Sequence, residues 1–193
     1  MKLALRRTPW VLSAALVLAA CGSAPPPRFH SLLGAPLKPA APALAWQLAT
    51  LTVPAQVDQP QFVLRRADGS YAVLEQERWV APLQDELREA LAERLAARLG
   101  PPAAPPAAGH ADWRVTVEVQ RFDAAPGRAT LSALWRAQGG STSLRCTAQL
   151  EEGVTDGVPA LAAGQRRNVE RLAAALADAL VQLDAGRMPA CPG

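Results

Sequence analysis

The stretch VAPLQDELREALAERLAARLG, residues 80–100, decides the fold class of this chain. Leucine recurs at every fourth position along it, and charged residues fill most of the places between; the leucines are Leu83, Leu87, Leu91, Leu95 and Leu99. This spacing puts one apolar stripe on one face of a helix. A Gly-Pro-Pro sequence follows and acts as a stop signal. The stretch therefore predicts an amphipathic helix whose stripe must be buried against another layer.

The second half of the chain predicts three strands and a second helix. Residues 112–124, DWRVTVEVQRFDA, alternate apolar and polar side chains, which is typical of a strand with one solvated face. An Ala-Pro-Gly turn leads to a strand over 129–138, and a Gly-Gly turn leads to another over 142–151. These three strands are expected to be antiparallel. Residues 159–184 carry apolar side chains three or four apart, which predicts a long helix.

Ahead of the first helix, the sequence predicts further strands. Residues 46–53, WQLATLTV, are rich in apolar and β-branched side chains and end at a proline. Residues 61–66 and 71–75 flank an Asp-Gly turn, which is a strong hairpin signal. The order strands, helix, strands, helix predicts an α+β fold, a mainly antiparallel sheet packed by two long amphipathic helices.

The N-terminal residues 1–20 have the features of a lipoprotein signal peptide. Basic residues precede an apolar run over 10–20, which is too short to cross a bilayer, since that takes roughly 20 residues. The run ends in LAAC, residues 18–21, which resembles the bacterial lipobox. In such signals the cysteine is acylated and becomes the new N-terminus, so Cys21 is the expected lipidation site. A plain signal peptide followed by an unmodified cysteine is the alternative.

The position of the anchor and the length of its tether follow from this reading. Several acyl chains on one residue hold a protein stably to a membrane. Gly22 follows the cysteine where an aspartate often signals inner-membrane retention, so the outer membrane, periplasmic face, is expected by resemblance to that sorting rule. Proline-rich segments lie at 22–27 and 36–42. On composition alone, residues 22–43 could form one long tether.

The charge of the chain argues against nucleic acid as a partner. The sequence has 20 Lys and Arg against 17 Asp and Glu, for a net charge of +3. Three of the basic residues leave with the signal peptide, and none of the acidic ones do, so 20 minus 3 leaves 17 against 17. The basic excess thus belongs to the targeting segment and not to a nucleic-acid-binding face.

The sequence holds no constellation of residues that indicates an enzyme. It has two histidines, His30 and His110, and no nucleophile elbow, phosphate loop or metal-binding spacing. Four carboxylates cluster in sequence and are expected to be solvated charges; they are Glu75, Glu77, Asp85 and Glu86. No metal, cofactor or catalytic residue is predicted, although a metal-free carboxylate enzyme stays open as an alternative.

The two remaining cysteines and Trp79 each allow two interpretations. Cys146 lies in the last predicted strand and Cys191 in the C-terminal tail, so a disulfide would fasten that tail to the sheet. Two separate thiols are the alternative. Trp79 lies at a strand-to-helix junction, where it either packs the start of the helix against the sheet or presents an aromatic anchor to a partner.

Several segments together resemble one family, the PqiC-like, ABC-type transport auxiliary lipoproteins. They are SAPPPRFHSL after the lipobox, VPAQVDQPQFVLRR, RWVAPLQDELREALAERLAARL, and VEVQRFDAAPG followed by ATLSALW. They occur in order over nearly the whole mature chain. This chain has His30 and Ser31 where the family usually has an aromatic residue and threonine. The resemblance implies a first strand near 29–33, a flexible tether of residues 22–27, and a single domain over 29–193 after the acylated segment 21–28.

The resemblance also implies a function and partners. Such lipoproteins look like non-enzymatic docking components on the outer-membrane side of MCE-domain proteins, which belong to inner-membrane permease systems that carry lipids or other hydrophobic molecules. Related proteins are thought to form a homo-oligomeric ring. Arg78 and Trp79 are then candidate partner-interface residues. An envelope-integrity or assembly lipoprotein and a periplasmic lipid carrier are the alternative functions.

Overall fold

A computed structural model describes residues 25–103 and 113–191 of the chain. Within those residues it contains seven strands and two helices. The strands are β1 Arg28–His30, β2 Trp46–Thr52, β3 Gln61–Arg65, β4 Tyr71–Trp79, β5 Trp113–Ala125, β6 Arg128–Gly139 and β7 Thr142–Gly153. The helices are α1 Leu83–Leu99 and α2 Val158–Asp184. The α+β class and the predicted order of elements are confirmed.

The strands form one mixed sheet, in the order β1-β4-β3-β5-β6-β7, with β2 also paired to β5. The pairs β3–β4, β5–β6 and β6–β7 are antiparallel. The pairs β1–β4, β2–β5 and β3–β5 are parallel. The prediction of a mainly antiparallel sheet is therefore wrong. Turn residues reveal hairpins locally, whereas a parallel pair such as Trp46 with Trp113 joins strands far apart in sequence and leaves no local signature.

Both helices cover one face of the sheet, and the strands alternate accordingly. On β5 the apolar residues are buried, among them Val115 and Val117, while Arg114 and Glu118 are exposed on the opposite face. The α1 leucines predicted as a stripe are each at most 1% exposed. Pro82 precedes α1, and a proline also stands in the first turn of α2, where its missing N–H costs no hydrogen bond.

The hairpin between β3 and β4 forms at the predicted Asp-Gly turn. Gly69 adopts a positive φ of 86°, which glycine tolerates without strain. The Asp68 carboxylate accepts hydrogen bonds from the backbone N–H and the hydroxyl of Ser70, at 2.9 Å and 2.7 Å. The Ser70 hydroxyl, followed by its backbone N–H, lowers the pKa of Asp68. β4 continues four residues beyond the predicted 71–75 and ends at Trp79.

The segment between β1 and β2 runs along α1 instead of extending freely. Leu32 is fully buried. The backbone N–H of Ala40 donates to the carbonyl of Ala96 at 3.0 Å, and that of Ala43 donates to the carbonyl of Leu99 at 2.9 Å. The second proline-rich segment, residues 36–42, is thus part of the folded domain and does not belong to a tether. The shorter tether implied by the family resemblance, residues 22–27, stays a prediction.

Candidate partner-binding site

The sequence motifs that carried the family resemblance converge where α1 begins. The Asp58 carboxylate, from the loop between β2 and β3, accepts a hydrogen bond from the backbone N–H of Gln84 at 3.4 Å. Gln61 at the start of β3 pairs in register with Arg78 on β4. Pro82 lies at the N-terminal boundary of α1. These motifs therefore build one corner of the molecule from residues that are distant in sequence.

Trp79 is the packing centre of this corner. Its ring lies 5.0 Å from that of Phe62 and 6.1 Å from that of Phe122, and its backbone N–H donates to the carbonyl of Pro60 at 2.7 Å. The residue is 3% exposed. Trp79 thus packs the β4–α1 junction against the sheet and has no free ring for a partner. Of its two interpretations, the structural one fits this geometry.

Arg78 remains accessible at the same corner. It is half-buried, and its Nε donates to the carbonyl of Glu75 at 3.2 Å. In register it lies beside Phe29 of β1 on one side and Gln61 of β3 on the other. Within the described residues it forms no ion pair. Of the two sequence-predicted interface residues, Arg78 is therefore the one that a partner could reach.

Two exposed apolar side chains lie close to Arg78. We call them the β1–β4 patch: Phe29, which pairs with Arg78 in register, and Val80, two residues beyond it, which are 61% and 63% exposed. Tyr71 and Val73 are also exposed but lie at the other end of β4. β1 is a terminal strand of the sheet and is only three residues long. Sequence reasoning did not select these residues as exposed. The short strand before a proline-rich segment was the one available signal of a free sheet edge.

A buried carboxylate holds β1 in place. Glu77 on β4 is 6% exposed and forms an ion pair with Arg28. Its second oxygen lies 2.6 Å from Nε2 of His30. The Ser31 hydroxyl donates to Glu86 on α1 at 2.9 Å. His30 and Ser31, which depart from the usual family residues, therefore fix the first strand through two buried carboxylates.

The expectation that the four clustered carboxylates are solvated is wrong for two of them. Glu77 and Glu86 are buried, at 6% and 2% exposure, whereas Glu75 and Asp85 are exposed. Glu77 is hydrogen-bonded to His30 of β1, and Glu86 accepts the backbone N–H of Leu32, just after β1. Sequence could not show this, because the partners lie about fifty residues away along the chain, at separations of 47 and 54.

The Arg-Phe-Asp motif on β5 forms a second ionic cluster. Nε of Arg121 donates to the Asp123 carboxylate at 2.5 Å, and Nη1 of Arg65 lies 3.7 Å from it. The hydrogen bond to Asp123 raises the pKa of Arg121, and the nearby charge of Asp123 adds to this. Nε2 of Gln165 on α2 donates to the backbone carbonyl of Asp123 at 2.8 Å. The motif thus joins β3, β5 and α2 and has a structural role.

Comparison with known proteins identifies the family. The family model described as "ABC-type transport auxiliary lipoprotein component" matches residues 33–177. The chain belongs to this family. Comparison with curated proteins gives no match.

Two solved structures share the fold of this auxiliary lipoprotein. One, described as an uncharacterized protein, has a TM-score of 0.69 at 19% identity, and the match covers 81% of this chain and 99% of the other. Protein XCC0632 from Xanthomonas campestris has a TM-score of 0.61 at 19% identity, with 82% and 98% covered. Family membership indicates an envelope lipoprotein that assists an ABC-type transport system, and no enzymatic family is indicated.

The cysteines of this auxiliary lipoprotein fall in two different parts of the chain. In the structure Cys146 on β7 is bonded to Cys191 in the tail, with a Cα–Cα distance of 5.3 Å. Cys146 is buried and Cys191 is exposed. Cys21, the predicted lipidation site, lies outside the described residues, as does His110. The bond places the end of the chain against the sheet, where Pro189 is buried.

The part of the auxiliary lipoprotein that the structure describes contains no group of three His, Cys, Asp or Glu side chains that could hold a metal ion. Neither α1 nor α2 is long and apolar enough to cross a membrane. What the site offers is a surface: an accessible arginine, a free sheet edge and an exposed apolar patch, all held by a rigid corner. Exposed apolar side chains next to polar groups are typical of sites that contact a protein or a membrane.

Proposed function

We propose that this chain is a non-enzymatic docking component of an MCE-type, ABC-linked transport system for lipids or other hydrophobic molecules. It is anchored to the outer membrane by acylated Cys21 and faces the periplasm. Its direct partner is the MCE-domain protein of an inner-membrane permease. The observation that carries the proposal is the exposed β1–β4 patch, with Phe29 61% and Val80 63% exposed beside a short tether.

The tether supports a docking role. β1 begins at Arg28, so only residues 22–27 separate the domain from the acylated cysteine. At roughly 3.1 Å per extended residue, the tether holds the domain within about 20 Å of the membrane. The protein cannot cross the periplasm by itself, so the partner must come to it. A surface beside the tether lies close to the outer membrane, so the partner must span the periplasm to reach it.

The surface chemistry also supports docking. Aromatic and aliphatic side chains that stay exposed next to an arginine are typical of interface anchors. Phe29 and Arg78 are neighbours in register and so present both kinds of side chain together. The β1 backbone next to them is a free edge that can pair with an additional strand.

Among the described residues, the packed core argues for docking over carrying a lipid. The space between sheet and helices that is lined by Phe62, Trp79 and Phe122 measures only about 10 Å³. A pocket that encloses a small ligand typically has several hundred Å³. The cavity of about 420 Å³ lined by Leu150 and Leu172 reaches that size, but it is an open groove between β7, α2 and the C-terminal tail and does not enclose a ligand. The apolar stripes of both helices pack against the sheet, as the burial of the α1 leucines illustrates, so these stripes are not free to hold a lipid.

The test is co-purification of the native lipoprotein from detergent-solubilised envelopes, followed by mass spectrometry. We expect the MCE-domain protein to come with the wild type and to be lost from the Phe29→Ser/Val80→Ser variant. Val181→Ser is the matched control, since Val181 is 46% exposed on α2, away from the patch. Recovery of outer-membrane or cell-wall components alone would refute the proposal. Unchanged circular dichroism melting of each variant confirms that the fold is intact.

A further inference from the structure

The face of the sheet opposite the helices carries a row of polar side chains across four strands. Thr50 on β2 pairs in register with Thr116 on β5, which pairs with Arg136 on β6, which pairs with Arg145 on β7. Thr50, Arg136 and Arg145 are exposed, and Thr116 is half-buried. We call these four residues the arginine row. Neither helix covers this face.

Two like charges stand directly opposite each other in the arginine row. Residues paired this way across antiparallel strands have Cβ atoms about 4.5–5.5 Å apart, and like charges there destabilise the sheet. In the part of the chain that the structure describes, neither Arg136 nor Arg145 forms an ion pair with an acidic side chain. By contrast, Arg167 and Arg171 on α2 share the Glu152 carboxylate, at 2.9 Å and 3.1 Å. Folding alone gives no reason for the pair Arg136–Arg145.

The arginine row lines an open groove of about 420 Å³. The hydroxyls of Thr50, Thr52 and Thr116 line the same groove and can donate hydrogen bonds to an anion. Glu118 is the one acidic residue among the described lining residues. Guanidinium groups bind carboxylates in a bidentate manner, and a carboxylate between the two arginines would also remove their repulsion.

We propose that the arginine row is a docking surface for an acidic segment of a protein partner. The inference rests on the proposed docking function but concerns a different part of the surface, since the arginine row crosses β2, β5, β6 and β7 and the β1–β4 patch does not. The segment would lie across β6 and β7 with carboxylates on Arg136 and Arg145, and with hydroxyl contacts to Thr50 and Thr116. The charge complementarity of this face selects an anionic occupant.

The position of the row in the fold favours a protein over a membrane surface. Phe29 of β1 lies level with Arg78 and Gln61. Leu64 on β3 pairs with Ala124 on β5, so the level of β1 corresponds to residue 121 of β5. Thr116 lies five residues before this level on β5, or about 17 Å away at roughly 3.3 Å per residue. β1 runs in the same direction as β4, so the tether arrives from the opposite end. The arginine row therefore lies at the end of the sheet opposite the tether, away from the anchor.

The test uses the full lipoprotein in detergent micelles and a rhodamine-labelled peptide that alternates Glu and Ser. Fluorescence anisotropy measures binding at low salt and at about 0.15 M salt, where exposed charges are partly screened. A peptide with Gln in place of each Glu is the charge-free control. The variant is Arg136→Gln/Arg145→Gln. Its matched control is Arg66→Gln/Arg187→Gln, which removes two exposed arginines that form no ion pair within the described residues.

We expect the acidic peptide to bind the wild type and the Gln peptide not to bind. Loss of both charge-assisted contacts should weaken binding about tenfold or more, while the control variant changes it less than about twofold. Equal weakening in the control variant, or no binding by the wild type, overturns the inference. The inference is also overturned if the protein binds phosphatidylglycerol vesicles through Arg136 and Arg145 but does not bind the peptide. If the wild type binds the acidic peptide but no MCE-domain protein co-purifies with it, the proposed function is refuted and this inference is not.

Discussion

The carboxylate of Glu86, near the start of α1, accepts the backbone N–H of Leu32 at 2.8 Å, and both residues are buried. The same oxygen accepts the Ser31 hydroxyl at 2.9 Å. Further along α1, Nη2 of Arg94 donates to the carbonyl of Leu32 at 3.0 Å. The two charged side chains of one helix therefore satisfy both backbone groups of Leu32 and hold the segment after β1 against α1.

Glu86→Ala should release this segment. The substitution leaves a buried backbone N–H without an acceptor, which costs about 1–3 kcal/mol. We expect the free energy of unfolding to fall by about 2 kcal/mol, measured by urea denaturation. Amide hydrogen exchange should speed up in residues 31–43 more than in β5–β7. Glu86→Gln, which keeps an acceptor oxygen, is the control and should lose less. Equal stability of Glu86→Ala and the wild type would contradict this reading of the contact.

The sequence was sufficient wherever the determining signal is local. The leucine spacing of residues 80–100 predicted α1, and the Asp68-Gly69 turn predicted the β3–β4 hairpin. The alternation in residues 112–124 predicted which face of β5 is buried. Each of these signals acts within a few residues, through periodicity or through turn conformation.

What the sequence could not predict depends on contacts between distant residues. The parallel pairing of β2 with β5 joins Trp46 to Trp113, and no turn residue marks it. Glu86 has the position of a solvated charge in a first helical turn, yet Leu32 and Ser31 bury it. Gln165 on α2 has the composition of a surface residue but is fully buried on carbonyls of β5 and β6. A polar residue in a helix is assigned to the surface unless its distant partner is known.

The disulfide between Cys146 and Cys191 should contribute strongly to stability. It closes a loop with a sequence separation of 45 residues, for which the chain-entropy relation gives about 4 kcal/mol. We expect Cys146→Ala/Cys191→Ala to lower the free energy of unfolding by about 2–4 kcal/mol, measured in urea. A reductant should lower the stability of the wild type and leave the double variant unchanged. If fully reduced and oxidised wild type unfold at the same urea concentration, the prediction is wrong.

The ion pairs of Glu152 should make stability depend on pH in the acidic range. The hydrogen bond from Arg167 is the main cause that lowers the pKa of Glu152 below its usual value of 4.5; burial opposes it and Arg171 adds to it. A carboxylate with a lowered pKa in the folded state stabilises the fold above its unfolded-state pKa. That contribution is lost as the pH falls through the lower, folded-state value.

Glu152→Gln should therefore be less stable than the wild type at pH about 7. The difference should shrink below the usual pKa of 4.5 and vanish once Glu152 is protonated in the folded wild type. Thermal unfolding over this pH range measures the difference. Glu151→Gln is the control, because its carboxylate is 58% exposed and lies 3.8 Å from Arg128. A difference that does not change with pH would show that the effect comes from packing and not from charge.

Gly164 lies inside α2, where alanine normally stabilises a helix by about 1 kcal/mol relative to glycine. Here the opposite is expected. A Cβ at this position would lie 2.6 Å from Cγ1 of Val154 and 2.9 Å from Cβ of Ala129, closer than carbon atoms can approach. Neither neighbour is the end of a flexible side chain, so α2 would have to move away from β6.

Gly164→Ala should therefore lower the free energy of unfolding by about 1–3 kcal/mol, since overpacking a core outweighs the gain in helix propensity. The measurement is urea denaturation with Val154→Ala and the double variant Val154→Ala/Gly164→Ala alongside. Removal of Cγ1 relieves the closest contact, so the double variant should lose less than the sum of the two single losses. Strict additivity would mean that Val154 is not the obstacle. A melting temperature above that of the wild type would show that α2 does not approach the sheet this closely.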